Sequence, residues 1–302
     1  MPGKSTHSSS GSFFTRKFSF LLNAVAPGWS TSKIDELLIT PKANGARTAR
    51  VPKEIKQLKM KTIGGAVHIY RIGSGPSVVF VHGWGGGAYQ FFPLMRGLSK
   101  CGFTAVAFDH LGHGQSDAKA ATLQQSIATT NHVLHYVKNK FEDGLGAVVG
   151  HSSGCIAIAN ARPALVKDLP LFLISPIFNY KLYMLKRLVQ LDLHEKLVKK
   201  YASRFTNVYK REFKKLELAR HLDKYGDVTV IAHDVSDSDS PVADSVKFCN
   251  KYPLTKLLVT REFDHVRIIN SESVWQELKS HLNYEDTTVN FVKEILRNPM
   301  PE

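Results

Sequence analysis

Short apolar runs alternate with stretches of helical periodicity from residue 56 onward. The first two strand-like segments flank Gly64-Gly65 and predict a β-hairpin. Six further runs of three to five apolar residues are typical of strands that are buried on both faces of a parallel sheet. These runs are 77–81, 104–108, 147–149, 171–174, 228–232 and 256–260.

Segments between these runs have apolar positions three and four residues apart, which predicts helices. They cover residues 88–100, 123–140, 153–162 and 271–282. Strands that alternate with helices after an antiparallel pair indicate an α/β fold. We therefore expect a mostly parallel sheet with helices on both of its faces.

The alternation is interrupted once, between residues 177 and 227. This segment predicts two or three helices and no strand, and it interleaves Leu, Tyr and Phe with many Lys and Arg. A single crossover helix would need fewer residues, so we predict that 177–227 is a helical cap insertion above the sheet edge. Residues 56–176 and 228–302 then form the α/β core. Residues 1–55 are predicted to be a basic extension that is partly disordered or contains a docked helix.

Positive charge is concentrated outside the predicted core. The chain has a formal net charge of +14. Residues 1–65 hold eleven Lys and Arg against three Asp and Glu, and residues 177–227 hold thirteen against six. Such surfaces attract anionic molecules without specificity, and no nucleic-acid-binding motif accompanies them. We expect a solvated basic surface with weak association with anionic surfaces and no specific nucleic-acid partner.

The composition predicts a soluble protein in a reducing compartment. The mean hydropathy is −0.16, and no apolar run is long enough to span a bilayer. The three cysteines are widely spaced and form no metal-ligand pattern, which favours a cytoplasmic location. A processed N-terminal targeting segment is the alternative, because residues 1–34 are rich in Ser and lack acidic residues.

The segment Gly150-His-Ser-Ser-Gly154 has the pattern of a nucleophile elbow. It follows the apolar run 147–149 and precedes a helical stretch, which is the strand–turn–helix context that this turn requires. The turn is tight, so the positions two before and two after the nucleophile must lack bulky side chains. Ser152 has glycine at both positions, whereas Ser153 would have His and Cys. Ser152 is therefore the predicted nucleophile.

A glycine-rich loop, His82-Gly-Trp-Gly-Gly-Gly87, follows the apolar run 77–81. Glycines let the backbone turn sharply and leave N–H groups free to stabilise an oxyanion. We predict that the backbone N–H groups of Trp84 and Ser153 form the oxyanion hole. A phosphate-binding loop is the alternative, but no G-K-[ST] or G-x-G-x-x-G pattern is present.

A serine nucleophile needs a base, and the base needs an orienting carboxylate. When the serine lies in a nucleophile elbow, the acid and then the histidine follow it along the chain. The acid-rich loop after the run 228–232 contains three candidates, of which Asp237 is the predicted acid and Asp239 and Asp234 are the alternatives. His265 follows the last predicted strand and is the predicted base.

Taken together, these segments resemble the α/β-hydrolase fold superfamily, in particular small bacterial-type serine hydrolases. The resemblance implies an eight-stranded sheet, a helical cap and a cofactor-free catalytic triad. In one departure, Asp264 stands before the histidine where this group usually has glycine. The matching segments are His82-Gly-Trp-Gly-Gly86, Asp109-His-Leu-Gly-His-Gly-Gln-Ser116, Gly150-His-Ser-Ser-Gly154, His233-Asp-Val-Ser-Asp237 and His265-Val-Arg-Ile-Ile269.

These observations predict a serine hydrolase that acts on a small, ester-like molecule through a covalent acyl-enzyme, without a metal or cofactor. Thioester, lactone and carbon–carbon bond hydrolysis use the same triad and stay open. Dehalogenases and epoxide hydrolases need an Asp nucleophile, which Ser152 disfavours. A non-catalytic basic surface-binding protein of the same fold is the alternative from another class. The sequence leaves the oligomeric state open.

Overall fold

The computed structural model describes residues 33–34, 36–38, 40–41, 49–208, 216, 218, 222 and 229–282. The predictions for residues 1–32, 35, 39, 42–48 and 283–302 lie outside the described residues, as do those for most of 209–228.

Eight strands form one sheet. Their order across the sheet is β1-β2-β4-β3-β5-β6-β7-β8. They are β1 (Lys56–Thr62), β2 (Gly65–Ile72), β3 (Ser77–Val81), β4 (Thr104–Phe108), β5 (Leu145–His151), β6 (Leu171–Ile174), β7 (Thr229–Asp234) and β8 (Lys256–Thr260).

The sheet is antiparallel at one side and parallel over the rest. The β1–β2 hairpin closes with Thr62 opposite Gly65, and β2 pairs antiparallel with β4. All other pairs are parallel. The predicted eight-stranded, mostly parallel sheet is confirmed.

Helices cover both faces of the sheet. Two 3-10 turns, Ala88–Phe91 and Arg267–Asn270, precede α1 and α8. The helices are α1 (Phe92–Lys100), α2 (Leu123–Lys140), α3 (Ser153–Ala159), α4 (Pro163–Val166), α5 (Tyr180–Gln190), α6 (Glu195–Val208), α7 (Val242–Lys251) and α8 (Glu272–His281).

The core has two apolar layers, one on each face of the sheet. Successive strand residues point to opposite faces, so Val79 of β3 packs in the layer with α2 and α3, whereas Phe80 packs in the layer with α1 and α8. Both side chains are fully buried. This double burial explains why the central strands are continuous apolar runs in the sequence.

Helices α5 and α6 lie between β6 and β7, in the segment for which an insertion is predicted. Both contribute to a small apolar cluster of their own. This cluster also includes Ile34 and Leu38 from the N-terminal segment, and its buried members in α5 and α6 are Met184, Leu188, Leu197 and Tyr201. The domain boundaries and the role of this insertion as a cap stay predictions.

Among the described residues, no helix combines the length and the apolar character needed to cross a membrane.

Candidate active site

Ser152 lies in a sharp turn between the end of β5 and the start of α3. Its backbone is in a left-handed conformation, with φ 55° and ψ −124°, which a residue with a side chain adopts only under strain. A Cβ atom at Gly150 would lie 2.6 Å from Ile158 Cδ1, and one at Gly154 would collide with the carbonyl oxygen of Val81. The turn therefore accepts only glycine at the two flanking positions, 150 and 154, as the sequence predicts.

His265 connects Ser152 with Asp237. Its Nε2 atom lies 2.8 Å from Ser152 Oγ, and its Nδ1 atom lies 2.7 Å from Asp237 Oδ2. An ionised carboxylate can only accept hydrogen bonds, so Nδ1 carries the proton and Nε2 is free to accept from the serine hydroxyl. All three residues are less than a tenth exposed. The arrangement has the connectivity of nucleophile, base and orienting acid.

Four donors hold the Asp237 carboxylate. Oδ1 accepts from the N–H groups of Asp239 and Ser240. Oδ2 accepts from His265 and also from His233 Nε2, at 3.2 Å. Burial opposes ionisation, but the hydrogen bonds from His233 and His265 outweigh it and hold the pKa of Asp237 well below its ordinary value. The carboxylate is therefore a stable anion beside His265.

The two alternative acids occupy other positions. Asp234 is the last residue of β7, and its carboxylate accepts from Thr260 Oγ1 and from the N–H groups of Ser236 and Phe263. It holds the loops at the ends of β7 and β8 together. Asp239 lines the cavity described below, but the hydrogen bond from His265 goes to Asp237.

The loop that carries His265 is held by His151 and by its own Asp264. His151 Nε2 donates to the backbone oxygen of His265, at 2.7 Å. Burial, together with the neighbouring His265, lowers the pKa of His151 to about 3, so the ring is neutral. The Asp264 carboxylate accepts from the N–H groups of Val266 and Arg267 and pairs with the Arg267 side chain. Asp264, which stands where glycine is usual, thus supplies a carboxylate that stabilises this turn.

The Trp84 N–H meets Ser153 across the site. It donates to Ser153 Oγ at 2.8 Å. The N–H of Ser153 belongs to the first residue of α3, where N–H groups lack intrahelical acceptors. Both predicted oxyanion donors therefore lie beside Ser152. In this structure the Trp84 N–H donates to the Ser153 hydroxyl oxygen.

Three polar side chains fix the backbone of the glycine-rich loop. Asp109 accepts from the N–H of Ala88, and His113 Nε2 accepts from the N–H of Gly85. His82 Nε2 accepts from the N–H of His110, so its Nδ1 carries the proton and donates to the carbonyl of Gly83. The segment after β4, which contains Asp109 and His113, therefore supplies the acceptors that hold the N–H groups of Gly85 and Ala88.

A cavity of about 280 Å³ opens onto Ser152 and His265. The glycine-rich loop forms one wall, and α5 forms another. The α5 residues that line it are Tyr183, Lys186, Arg187 and Gln190. This volume is near the lower end for small-molecule sites, so the cavity fits a small substrate.

Some residues of the site carry no signal in the sequence. His233 lies at the end of β7, inside a motif that drew attention to its aspartates. His151 occupies the variable position of the elbow. The sequence of α5 has the pattern of a basic amphipathic helix, and this pattern does not show that one side of the helix lines the cavity with Ser152. Among the described residues, no group of three or more His, Cys, Asp and Glu side chains is arranged to hold a metal ion.

Comparison with known proteins identifies the fold. A family model described as "alpha/beta hydrolase fold" matches residues 76–161, which contain the glycine-rich loop and the elbow. An epoxide hydrolase of Caballeronia sordidicola is 29% identical over 115 residues, which is 38% of this chain and 35% of the relative. The chain spans about a third of the length of the curated relatives it matches.

Solved structures match over most of the chain at low identity. The esterase Pf2001 of Pyrococcus furiosus aligns with a TM-score of 0.59 and 19% identity, over 78% of this chain and 96% of its own. Est1E from Butyrivibrio proteoclasticus aligns with a TM-score of 0.56 and 17% identity, over 75% of this chain and 99% of its own. At this identity the likeness establishes the fold.

Proposed function

We propose that this chain, which has the α/β-hydrolase fold, is a serine hydrolase that cleaves a carboxylic ester or a related acyl bond. The observation that carries the proposal is the continuous hydrogen-bonded path from Ser152 Oγ through His265 to Asp237. In the proposal, Ser152 is the nucleophile, His265 the base and Asp237 the acid. The insertion that contains α5 acts as a cap over the cavity.

The first step forms an acyl-enzyme. Ser152 Oγ attacks the substrate carbonyl carbon while His265 Nε2 takes the hydroxyl proton. The imidazolium that results is stabilised by the Asp237 anion at 2.7 Å from Nδ1. When the tetrahedral intermediate collapses, the bond to the leaving alkoxide breaks, and His265 returns the proton to that oxygen.

The second step releases the acid. A water molecule gives a proton to His265 Nε2 and attacks the acyl carbon. Collapse of the second intermediate breaks the bond to Ser152 Oγ, and His265 returns the proton to the serine. The triad is regenerated, and the balanced reaction consumes one water for each ester bond.

The oxyanion of both intermediates is stabilised by the N–H groups of Trp84 and Ser153. The Trp84 N–H donates to Ser153 Oγ in the free site, so the Ser153 hydroxyl must turn away when the oxyanion forms. Rotation of Ser153 about χ1 to another staggered rotamer moves this accepting oxygen away from the Trp84 N–H. Ser153 thus supplies its amide to the reaction, and its side chain is dispensable.

The names of some relatives suggest a second hydrolytic chemistry, but the elbow argues against it. Epoxide hydrolases, among them the Caballeronia relative, need an Asp nucleophile, and this chain has Ser152 at that place. Thioester, lactone and carbon–carbon bond hydrolysis remain compatible with the same triad, and only a substrate panel separates them from ester hydrolysis.

Covalent labelling with a fluorophosphonate probe tests the proposal. We expect the wild-type protein and Ser153→Ala to be labelled and Ser152→Ala to stay unlabelled, because Ser152 Oγ lies 2.8 Å from His265 Nε2 and opens onto the cavity. A panel of ester, thioester and lactone substrates of increasing acyl length then identifies the bond that is cleaved. All three proteins must first give the same circular dichroism spectrum.

Failure of folded wild-type protein to react with the probe would reject the serine-hydrolase proposal. Salt-sensitive retention on anionic vesicles, together with absent labelling, would instead support the basic surface-binding protein. Equal labelling of Ser152→Ala and the wild type would place the reactive group elsewhere.

A further inference from the structure

Helix α5 presents a cation to the cavity beside the proposed oxyanion hole. The guanidinium carbon of Arg187 lies 5.0 Å from the centroid of the Trp84 ring and 5.9 Å from that of Tyr183. All three side chains line the cavity that contains Ser152 and His265. Arg187 therefore lies against the side chain of Trp84, the residue whose backbone N–H is proposed to stabilise the oxyanion.

Arg187 has no anionic partner among the described residues. Arg96 pairs with Glu54 and Arg267 with Asp264, but no described Asp or Glu pairs with Arg187. Its Nε atom is buried without an acceptor, and so is Nε1 of Trp84. Buried donors without acceptors are unfavourable. Two such donors on neighbouring residues of one cavity indicate that a ligand supplies the acceptor.

The other charged groups around the cavity leave this position open to an anion. Lys186 donates to the backbone oxygens of Ser238 and Asp239, at 3.3 Å each. Asp237 is also an anion, and His265 and His233 hold its carboxylate by hydrogen bonds within the proposed triad. Two cations, Lys186 and Arg187, therefore face one carboxylate that lies outside the triad, that of Asp239. The carboxylates of Asp237 and Asp239 disfavour a dianion, and Arg187 is the cation that can pair with a singly charged anion.

We infer that Arg187 binds a carboxylate on the substrate, so that the preferred substrate is a small ester whose acyl group ends in a carboxylate. A guanidinium matches a carboxylate with two parallel hydrogen bonds. The small volume of the cavity limits the acyl chain to a few carbons between the two carboxyl groups. This inference rests on the proposed function, because it names the substrate class of the same site.

The test compares two esters of matched shape. The anionic ester is 4-nitrophenyl hydrogen glutarate, and the neutral ester is its methyl-capped form, 4-nitrophenyl methyl glutarate. kcat/KM is measured for both in the wild type, Arg187→Met, Arg187→Lys and Lys199→Met. Lys199 pairs with Glu195 on the exposed surface of α6, so Lys199→Met removes one positive charge away from the cavity and is the matched control.

We expect the wild type to prefer the anionic ester and Arg187→Met to lose about 10- to 100-fold in kcat/KM for it, mainly through KM. The neutral ester should change less than about threefold, because it does not use the guanidinium. Arg187→Lys should keep part of the preference, since it retains the charge without the planar fork. Lys199→Met should behave as the wild type.

Equal losses for both esters in Arg187→Met would overturn the inference, because Arg187 would then act through the shape of the site. An equal effect of Lys199→Met would also overturn it, since only the long-range field of the protein would be involved. Hydrolysis of the neutral ester together with fluorophosphonate labelling shows that the proposed function stands in either case.

A binding measurement keeps the inference testable without turnover. Calorimetric titration of Ser152→Ala with glutarate monomethyl ester reports the anion site alone. We expect heat of binding in Ser152→Ala and its loss in Ser152→Ala/Arg187→Met. Titrations that give the same affinity in both proteins would exclude Arg187 as the carboxylate site.

Discussion

The Asp237 carboxylate contacts two imidazoles, and only one of them faces the nucleophile. His265 Nδ1 and His233 Nε2 both reach Oδ2, at 2.7 and 3.2 Å. His233 Nε2 also lies 3.0 Å from the carbonyl of Ser240, and its Nδ1 lies 2.7 Å from Ser245 Oγ. Because Nε2 faces two acceptors, it carries the proton, and the Ser245 hydroxyl donates to Nδ1. His233 thus helps to hold the Asp237 carboxylate in place without facing the nucleophile.

Removing this second imidazole should slow turnover while leaving substrate binding intact. We expect His233→Leu to lower kcat by about 10- to 100-fold, because a carboxylate held by fewer donors no longer fixes the His265 ring. KM should stay near the wild-type value, since His233 is fully buried and does not line the cavity. Steady-state kinetics on any ester that the protein hydrolyses measures both constants.

His233→Gln is the conservative control, because its side-chain amide can donate to the same oxygens. Substantial recovery of kcat in this variant supports the positioning role. If His233→Gln is as slow as His233→Leu, or if KM rises with the fall in kcat, His233 acts through general packing.

The sequence predicts Ser152 and His265 from their places in the pattern, and it favours Asp237 among three aspartates of one loop. Ser152 is distinguished from Ser153 by the glycines two positions away, and His265 by its place after the last apolar run. His233 contacts Asp237, Ser240 and Ser245, which are four to twelve residues away and have no spacing pattern that marks the contact. His151 bonds to a residue 114 positions away, and no local pattern announces such a contact.

At the scale of elements, the sequence predicts buried strands well and polar strand ends poorly. The apolar runs coincide with β3, β4, β6 and β8. The prediction for β7 stops two residues early, because His233 and Asp234 are polar and yet fully buried in hydrogen bonds. The helix predicted over 153–162 ends at Ala159, and Pro163 begins a separate short helix, α4. Proline at a helix start removes a donor that has no acceptor there.

The helix that lines the cavity depends on its N-cap. Asn179 Oδ1 accepts from the N–H of Leu182, at 2.9 Å. We expect Asn179→Ala to cost about 1 kcal/mol of local stability and to raise KM severalfold, because α5 carries Arg187 and Tyr183 to the substrate. Hydrogen exchange of the α5 amides and steady-state kinetics measure the two effects.

The matched control is Thr122→Ala, which removes the N-cap of α2. That helix packs behind the sheet and contributes no residue to the cavity. It should lose similar stability and keep the wild-type KM. A similar rise in KM in both variants would mean that substrate binding responds to global stability and not to α5.

At the scale of the whole molecule, a buried group of histidines makes the fold sensitive to acid. His82, His110 and His113 pack with ring centroids 4.5 to 6.2 Å apart beneath the glycine-rich loop. Burial lowers the pKa of His82 to about 4 and that of His113 to about 3, and it holds the pKa of His110 well below 6.5. The unfolded chain therefore binds more protons than the folded chain between about pH 3 and 6.5. The stability that these rings contribute is complete above pH 6.5 and is lost as the pH falls towards 3.

His110 offers a clean test, because neither of its ring nitrogens has a hydrogen-bond partner among the described residues. Phenylalanine keeps the ring contacts with Phe108 and His82 but takes up no proton. We expect His110→Phe to be at least as stable as the wild type at pH 7.5. At pH 5 its free energy of unfolding should exceed that of the wild type by a further margin of about 2 kcal/mol, since one pKa unit corresponds to about 1.4 kcal/mol. Urea denaturation at the two pH values measures the difference.

The control is His135→Gln, on the exposed face of α2. Its free energy of unfolding should change with pH as that of the wild type does. A His110→Phe protein with the wild-type pH dependence would show that His110 does not contribute to the acid sensitivity, which would then have to arise elsewhere in the molecule.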